Sequence, residues 1–287
     1  MNAMLFADVV ATSSVVAATR SRLTKVEALA GLLRAAKEPA EIEAVVAFLA
    51  GAPRQGRIGA GWRTLVELKI PPADEPSLTV SQIDDALEAV SLTSGKGSTA
   101  RRSELLGALF GSATVAEQRF LHHLLTGELR QGALEGVMLD AIASASEVPA
   151  AAVRRAFMLS GRLPATAAAA MAGGQEALAG FGLELGRPVR PMLAAPSESL
   201  AEALVELGSC AVEYKLDGAR IQVHKLGDEV HIYTRNLREI TKSVPELVEM
   251  VLGLPCHSVV LDGESLALRD DGRPRPFQET QSRKSVV

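Results

Sequence analysis

Chemistry in this chain concentrates at Glu213-Tyr214-Lys215-Leu216-Asp217-Gly218-Ala219-Arg220. The alternation predicts a strand over 210–216 running into a turn. Val212, Tyr214 and Leu216 fall on one side, and Glu213, Lys215 and Asp217 on the other, because strand side chains alternate with period two. A lysine amine is a nucleophile only when neutral, and its solution pKa is about 10.4. Burial or a neighbouring cation lowers that value, and the activated amine can then attack an electrophile. Gly218 allows a tight turn or a close approach of the backbone. On its own, Lys-x-Asp-Gly is better read as a half-buried strand with a solvated charged face, because four residues recur often by chance.

Further groups follow in order: Thr234-Arg235-Asn236, then Leu261-Asp262-Gly263-Glu264 on a predicted strand over 258–268. Upstream lies Arg187-Pro188-Val189-Arg190-Pro191-Met192-Leu193-Ala194. Together these stretches resemble the nucleotidyl-transfer motifs of ATP-dependent DNA ligases and the related RNA ligases and mRNA capping enzymes. The helical region before them resembles the DNA-binding domain of the archaeal and eukaryotic type of ligase, also found in some bacteria. The resemblance covers nearly the whole chain. It implies Lys215 as the nucleophile that forms lysyl-AMP, with Glu213 at the adenine end of ATP. It implies Arg220 and Arg235 on the sugar and phosphates, and Glu264 at the ribose or a metal-bound water. ATP and Mg²⁺ are the implied cofactors, and nicked duplex DNA the implied partner.

The elements that must position these groups fall into two sets. The chain has 287 residues, enough for about two domains, and is 47% hydrophobic but only 3% aromatic. Its cores must therefore be built of Leu, Val, Ile and Ala. From residue 1 to about 185 the apolar spacing is helical: Leu29, Leu32, Leu33 and Ala36, then Ile42, Val45, Val46 and Leu49. Thr114 and Glu117 fit a capping box, and Pro149 suits the first turn of another helix. An Ala- and Gly-rich stretch over 161–186 marks a boundary near 186. After it come predicted strands at 219–226 and 229–234, joined at Leu226-Gly227-Asp228, and a helix over 245–252 that begins at Pro245. The expected architecture is multidomain. An all-α DNA-binding domain (1–186) precedes an incomplete α+β nucleotidyltransferase domain (187–287), ATP-grasp-like by resemblance, with antiparallel strands.

The net charge of −4 gives no global signal for nucleic acid, so any phosphate contact must be local. Arg54-Gln55-Gly56 with Gly59, and Arg130-Gln131-Gly132 with Gly136, echo each other before predicted helices. A helix start with free N–H groups suits a phosphate. Arg54, Arg57 and Arg130 are the candidate contacts there. Lys96, Arg101 and Arg102 form the densest basic cluster, in a glycine-flanked loop. The bland alternative is ordinary helix junctions and a solvated loop. Trp62 reads as core. The histidines show no metal-ligand spacing, so no zinc site is expected. Two cysteines are too few for a disulfide framework and fit a reducing cytoplasm. The apolar N-terminus reads as an amphipathic helix, and no stretch is long enough to span a membrane. A monomer is expected.

The resemblance also implies motifs that the chain lacks: an aromatic stacking on adenine, a later acidic motif, a Lys-x-Lys motif and a small C-terminal barrel. Phe277 is not assigned the stacking role. The expected function is nick sealing through lysyl-AMP, weak or absent in these 287 residues alone. The alternatives are a non-catalytic duplex-binding fragment and an RNA ligase or capping-type enzyme.

Overall fold

The computed structural model describes residues 3–56, 58–59, 65, 68, 70–129, 134–192, 194–269 and 271–275. Arg57, Trp62, Phe277 and the triplet Arg130-Gln131-Gly132 lie outside them. Two compact units divide the chain, Met1–Phe181 and Gly182–Val287.

The described part of the first unit is helical: α1 (Phe6–Ala18), α2 (Arg22–Ala35), α3 (Pro39–Leu49), α4 (Val80–Leu92), α5 (Ser98–Gly111), α6 (Val115–Thr126), α7 (Leu134–Ser146), α8 (Ala150–Ser160) and α9 (Leu163–Ala179). The predicted apolar spacings become its core. Helix α3 is buried from Ile42 to Leu49 apart from its half-buried Glu43, as expected of a helix that is apolar nearly all round. The scarce aromatics are spent at the centre, where Phe6 meets Phe48 and Phe120 edge-to-face at 5.8 and 5.5 Å between ring centroids. Thr114 and Glu117 form the predicted capping box at α6. Pro149 is the cap before α8 rather than its first residue. The run Ala167–Ala170 is helical, and α9 breaks at Gly174, where φ is 56° and ψ is −141°. Glu41 accepts from the Met4 and Lys37 amides, each at 3.0 Å, and so ties the start of α1 to α3.

The second unit holds α10 (Leu200–Leu207), β1 (Ala219–Leu226), β2 (Glu229–Thr234), α11 (Pro245–Leu252) and β3 (Ser258–Ser265). The sheet is antiparallel in the order β2-β1-β3. Its two faces differ in chemistry. Ile221 and Val223 of β1 and Val230 and Ile232 of β2 pack with Ile240, Val244, Leu247, Val248 and Val251 around α11. Lys225 shares that face and is only 4% exposed. Its ammonium donates to the Leu252 and Leu254 carbonyls at 3.0 and 2.9 Å, satisfying the end of α11. The other face is polar: Arg220, Gln222 and His224 of β1, with Tyr233 and His231 of β2 and Asp262 and Glu264 of β3 in register beside them.

One predicted element is absent. Residues 210–216 form no strand, because among the described residues no neighbouring strand supplies a ladder for them, and every one of them is exposed. The alternation of Val212, Tyr214 and Leu216 therefore does not mark a buried face, and Tyr214 is 97% exposed. The strand expected over 258–268 ends at Ser265.

Candidate functional site

Lys215 sits on the exposed segment before β1, and among the described residues it has no hydrogen-bond or ion-pair partner. The carboxylates of Glu213 and Asp217 do not bracket it through any such contact. What fixes the loop is its exit. The Gly218 amide donates to Glu264 Oε1 at 3.2 Å, across the β1–β3 pairing. At Gly218 a side chain has no room. A Cβ there would lie 2.5 Å from the Ser265 carbonyl oxygen, 2.5 Å from Leu266 Cδ2 and 2.9 Å from Glu264 Cγ. Glu264, carried over as a nucleotide or metal contact, is thus also the anchor of the lysine loop.

Arg220 follows at once on the polar face. It grips Asp262 with two bonds, Nε to Oδ1 at 3.0 Å and Nη2 to Oδ2 at 2.7 Å. The hydrogen-bonded pair holds the Arg220 pKa above its usual value and the Asp262 carboxyl below its own. Arg235 is exposed at the tip of a turn after β2. The turn is closed by Thr234 N–H to the Arg238 carbonyl at 2.9 Å and Leu237 N–H to the Thr234 carbonyl at 2.8 Å. The sheet therefore gathers Arg220, Asp262, Glu264 and the Gly218 end of the lysine loop. Glu213 stays on the exposed segment and, among the described residues, has no hydrogen bond to that group.

Among the described residues no cluster of three or more metal-ligating side chains occurs. Asp262 and Glu264 still share a strand face, and one of the Glu264 oxygens is not used by Gly218. That donor set fits a hard cation arriving with a triphosphate, since Mg²⁺ commonly takes one or two carboxylates and completes its shell with phosphates and water.

The sequence reading missed the residues beneath the site. Residues 187–191 are half-buried because they cross the polar face. Gln222 accepts from the Val189 amide at 2.9 Å and donates back to the Val189 carbonyl. His224 Nδ1 accepts from the Gly186 amide at 3.2 Å, and the Tyr233 hydroxyl donates to the Gly186 carbonyl at 2.6 Å. The only sequence signal was a row of polar residues at alternate β1 positions, which reads equally well as a wet face.

His224 is 1% exposed, and its pKa is lowered, first by burial and then by the charge of His231. The Glu184 backbone pulls the other way, more weakly. Tyr233 and His231 face it from β2, and Glu184 and Arg187 lie on the crossing segment. Because Nδ1 accepts, the single proton of the neutral ring is on Nε2. A depressed folded pKa means that the unfolded chain binds the proton more readily. Stability is therefore full above about pH 6.5 and falls as pH drops below it. Urea midpoints of the second unit should decline from pH 7.5 to 5.5, by at most about 1.4 kcal/mol of stability per pH unit. His224→Asn, which offers an acceptor that does not titrate, should flatten that decline.

In the first unit, the Arg54 guanidinium is committed to carboxylates. It pairs with Asp84, which is 5% exposed, and with Glu43 at 3.1 Å, while Gln55 also donates to Asp84 Oδ1 at 3.1 Å. These bonds raise its pKa above the usual arginine value. Arg102 donates to the Thr93 carbonyl at 2.6 Å, and its guanidinium lies against Gly59. It thereby joins the loop before α5 to the loop of Arg54. Arg101 pairs with Glu104 at 2.7 Å but is exposed on both sides of the pair. Lys96 is exposed and has no partner among the described residues.

Comparison with known proteins adds an independent line. A family model described as "DNA ligase N terminus" matches residues 62–143, and one described as "ATP dependent DNA ligase domain" matches residues 191–287. Proteins named "Probable DNA ligase" from Rhodococcus jostii and Saccharopolyspora erythraea are each 64% identical over 98% of this chain. One of the same name from Mycobacterium marinum is 51% identical over 98%. The chain spans only 56%, 55% and 56% of those relatives.

Proposed function

Because the chain belongs to the ATP-dependent DNA ligase family, carrying its N-terminal and adenylation domains, we propose that it is the DNA-gripping and lysine-bearing part of an enzyme that seals nicks in duplex DNA. The observation that carries this reading is the exposed Lys215, on a loop whose exit is pinned by Gly218 to Glu264, beside Arg220. Neutral Lys215 Nζ attacks the α-phosphate of ATP. A P–N bond forms, the bond from the α-phosphorus to the bridging oxygen breaks, pyrophosphate leaves, and the amine proton passes to solvent. AMP then moves to the 5′-phosphate at a nick, and the 3′-hydroxyl displaces it to close the strand. Arg220 and Arg235 supply fixed positive charge for the phosphates, and Glu213 lies at the adenine end. Mg²⁺, when bound by Glu264 and the phosphates, offsets further negative charge. Incubation with labelled ATP or GTP and Mg²⁺ tests the assignment, since a covalent label from ATP on Lys215 is the expected product. A label from GTP alone favours the capping-type alternative. No helix among the described residues is long and apolar enough to cross a membrane, and we take the protein to act as a monomer in the cytoplasm.

The first unit, in this reading, grips the duplex backbone without reading bases, through Lys96 and Arg101, with Arg57 and Arg130 as further candidates from the sequence pattern. Its affinity for nicked duplex should fall steeply with salt. Lys96→Ala should lower the slope of log affinity against log salt by about one. Arg54→Ala should behave differently, because it strands Asp84 in the interior. It should destabilise the first unit by about 2–3 kcal/mol and leave the salt slope unchanged. Titrations at several salt concentrations, with urea melts of the same variants, separate the two roles.

A further inference from the structure

Gln222 is 6% exposed and spends its whole side-chain amide on one residue of another segment. Its oxygen takes the Val189 N–H and its nitrogen gives to the Val189 carbonyl, as a paired strand would. His224, two residues on along the same face, holds the Gly186 amide, and Tyr233 holds the Gly186 carbonyl. Three buried side chains thus bolt down a segment that has no secondary structure of its own. An unclamped loop would leave these amides to water. Here both backbone groups of Gly186 and of Val189 are bonded to side chains of the sheet.

The direction of the segment matters. Gly186 lies over His224 and Val189 over Gln222, so the segment advances along β1 toward Arg220. Pro191 and Met192 continue the chain in that direction, beyond the Val189–Gln222 pair. The segment Pro188-Val189-Arg190-Pro191-Met192 is mostly apolar, and its two prolines restrict its backbone. Arg187 is already paired with Glu184 at 2.5 Å within the segment. Arg190 aside, such a wall is apolar, and it suits the flat, weakly polar faces of a base and its sugar.

We propose that Gln222 is a positioning residue for nucleotidyl transfer, holding residues 186–192 as the wall against which the nucleoside end of ATP rests. It touches no reacting atom and acts through Val189. The inference rests on the reading of the polar sheet face as the nucleotide site. It is tested on this 287-residue chain by three measurements that need no turnover: amide hydrogen exchange, calorimetric affinity for Mg·ATP, and calorimetric affinity for inorganic tripolyphosphate. In Gln222→Leu, the Val189 amide should exchange at least tenfold faster, with β1–β2 amides unchanged. Affinity for ATP should fall tenfold or more. Tripolyphosphate, which meets only the arginines, should bind within twofold of the unsubstituted chain. Gln222→Glu keeps the acceptor for the Val189 N–H and loses the donor, so it should be intermediate. Equal losses for ATP and tripolyphosphate would mean that Gln222 is only structural, and unchanged ATP affinity with a freed Val189 would likewise overturn the proposal. Arg220→Ala separates the two levels. It should weaken both ligands, and if it weakens neither, the site itself is misread. Absence of ATP binding in the unsubstituted chain overturns both.

Discussion

Lys215→Arg removes all covalent AMP from the protein, and Lys215→Ala does the same. In an enzyme extended to the length of its relatives, nick sealing is lost with it, by about 10⁴-fold or more, as expected when a nucleophile is deleted. The arginine variant is the informative one. It keeps the positive charge and most of the length, so any role of position 215 in simply attracting phosphate survives. It cannot attack, because a guanidinium stays protonated. Lys215 has no partner among the described residues and lies on an exposed segment, so neither change should disturb the fold. Melting temperatures should match the unsubstituted chain. Gel autoradiography after incubation with labelled ATP checks the first result, and a sealing assay on nicked duplex checks the second. In the 287 residues alone, adenylation should already be far slower than in the longer protein. The motifs that the family resemblance implies for charge on the triphosphate are not within them, and positioning without that stabilisation is insufficient. Nick binding should persist in both variants. Residual AMP on the arginine variant would move the nucleophile elsewhere.

Gly218→Ala is expected to give the second-largest loss of rate, about 10²-fold, while leaving the lysine nucleophile in place. The added Cβ would sit 2.5 Å from a backbone oxygen, that of Ser265, as well as 2.5 Å from Leu266 Cδ2. A side-chain tip can swing away, but a strand carbonyl cannot without disturbing β3. The loop must therefore lift, and the bond from the Gly218 amide to Glu264 is lost. Displacing a reacting group by about 1 Å can lower a rate about 10²-fold. We expect a drop of that order in lysyl-AMP formation, and a destabilisation of the second unit of about 1–3 kcal/mol from overpacking. Glu264→Gln keeps an acceptor for the Gly218 amide and should retain the loop. Its comparison with Gly218→Ala separates loss of anchoring from loss of the carboxylate charge. Wild-type rates in Gly218→Ala would show that the loop needs no anchor.

Much of this was legible in the sequence, for identifiable reasons. Local signals carried over well: the turn at 226–228, Pro245 opening a helix, the Thr114–Glu117 box and the apolar spacing of α2 and α3 each depend on residues close in the chain. The strand expected over 210–216 failed because alternation describes a face and does not provide a partner to pair with. Arg54 was read as a phosphate contact because Asp84 and Glu43, which hold it, are remote in sequence. Gln222, His224 and Tyr233 were overlooked for the opposite reason. Polar residues alternating along a strand look solvated until the segment that covers them is seen.

The strand order carries a consequence for how the site comes into being. Strands β1 and β2 are joined by a two-residue turn and can zip together within about 1–10 μs, as hairpins do. Strand β3 reaches β1 only after α11 has been laid down, and closing that longer loop costs more chain entropy. Both ties that define the site, Arg220 to Asp262 and Gly218 to Glu264, cross the later pairing. A refolding chain therefore owns its hairpin well before its lysine loop is anchored, and the geometry of the proposed site is among the last things the second unit acquires.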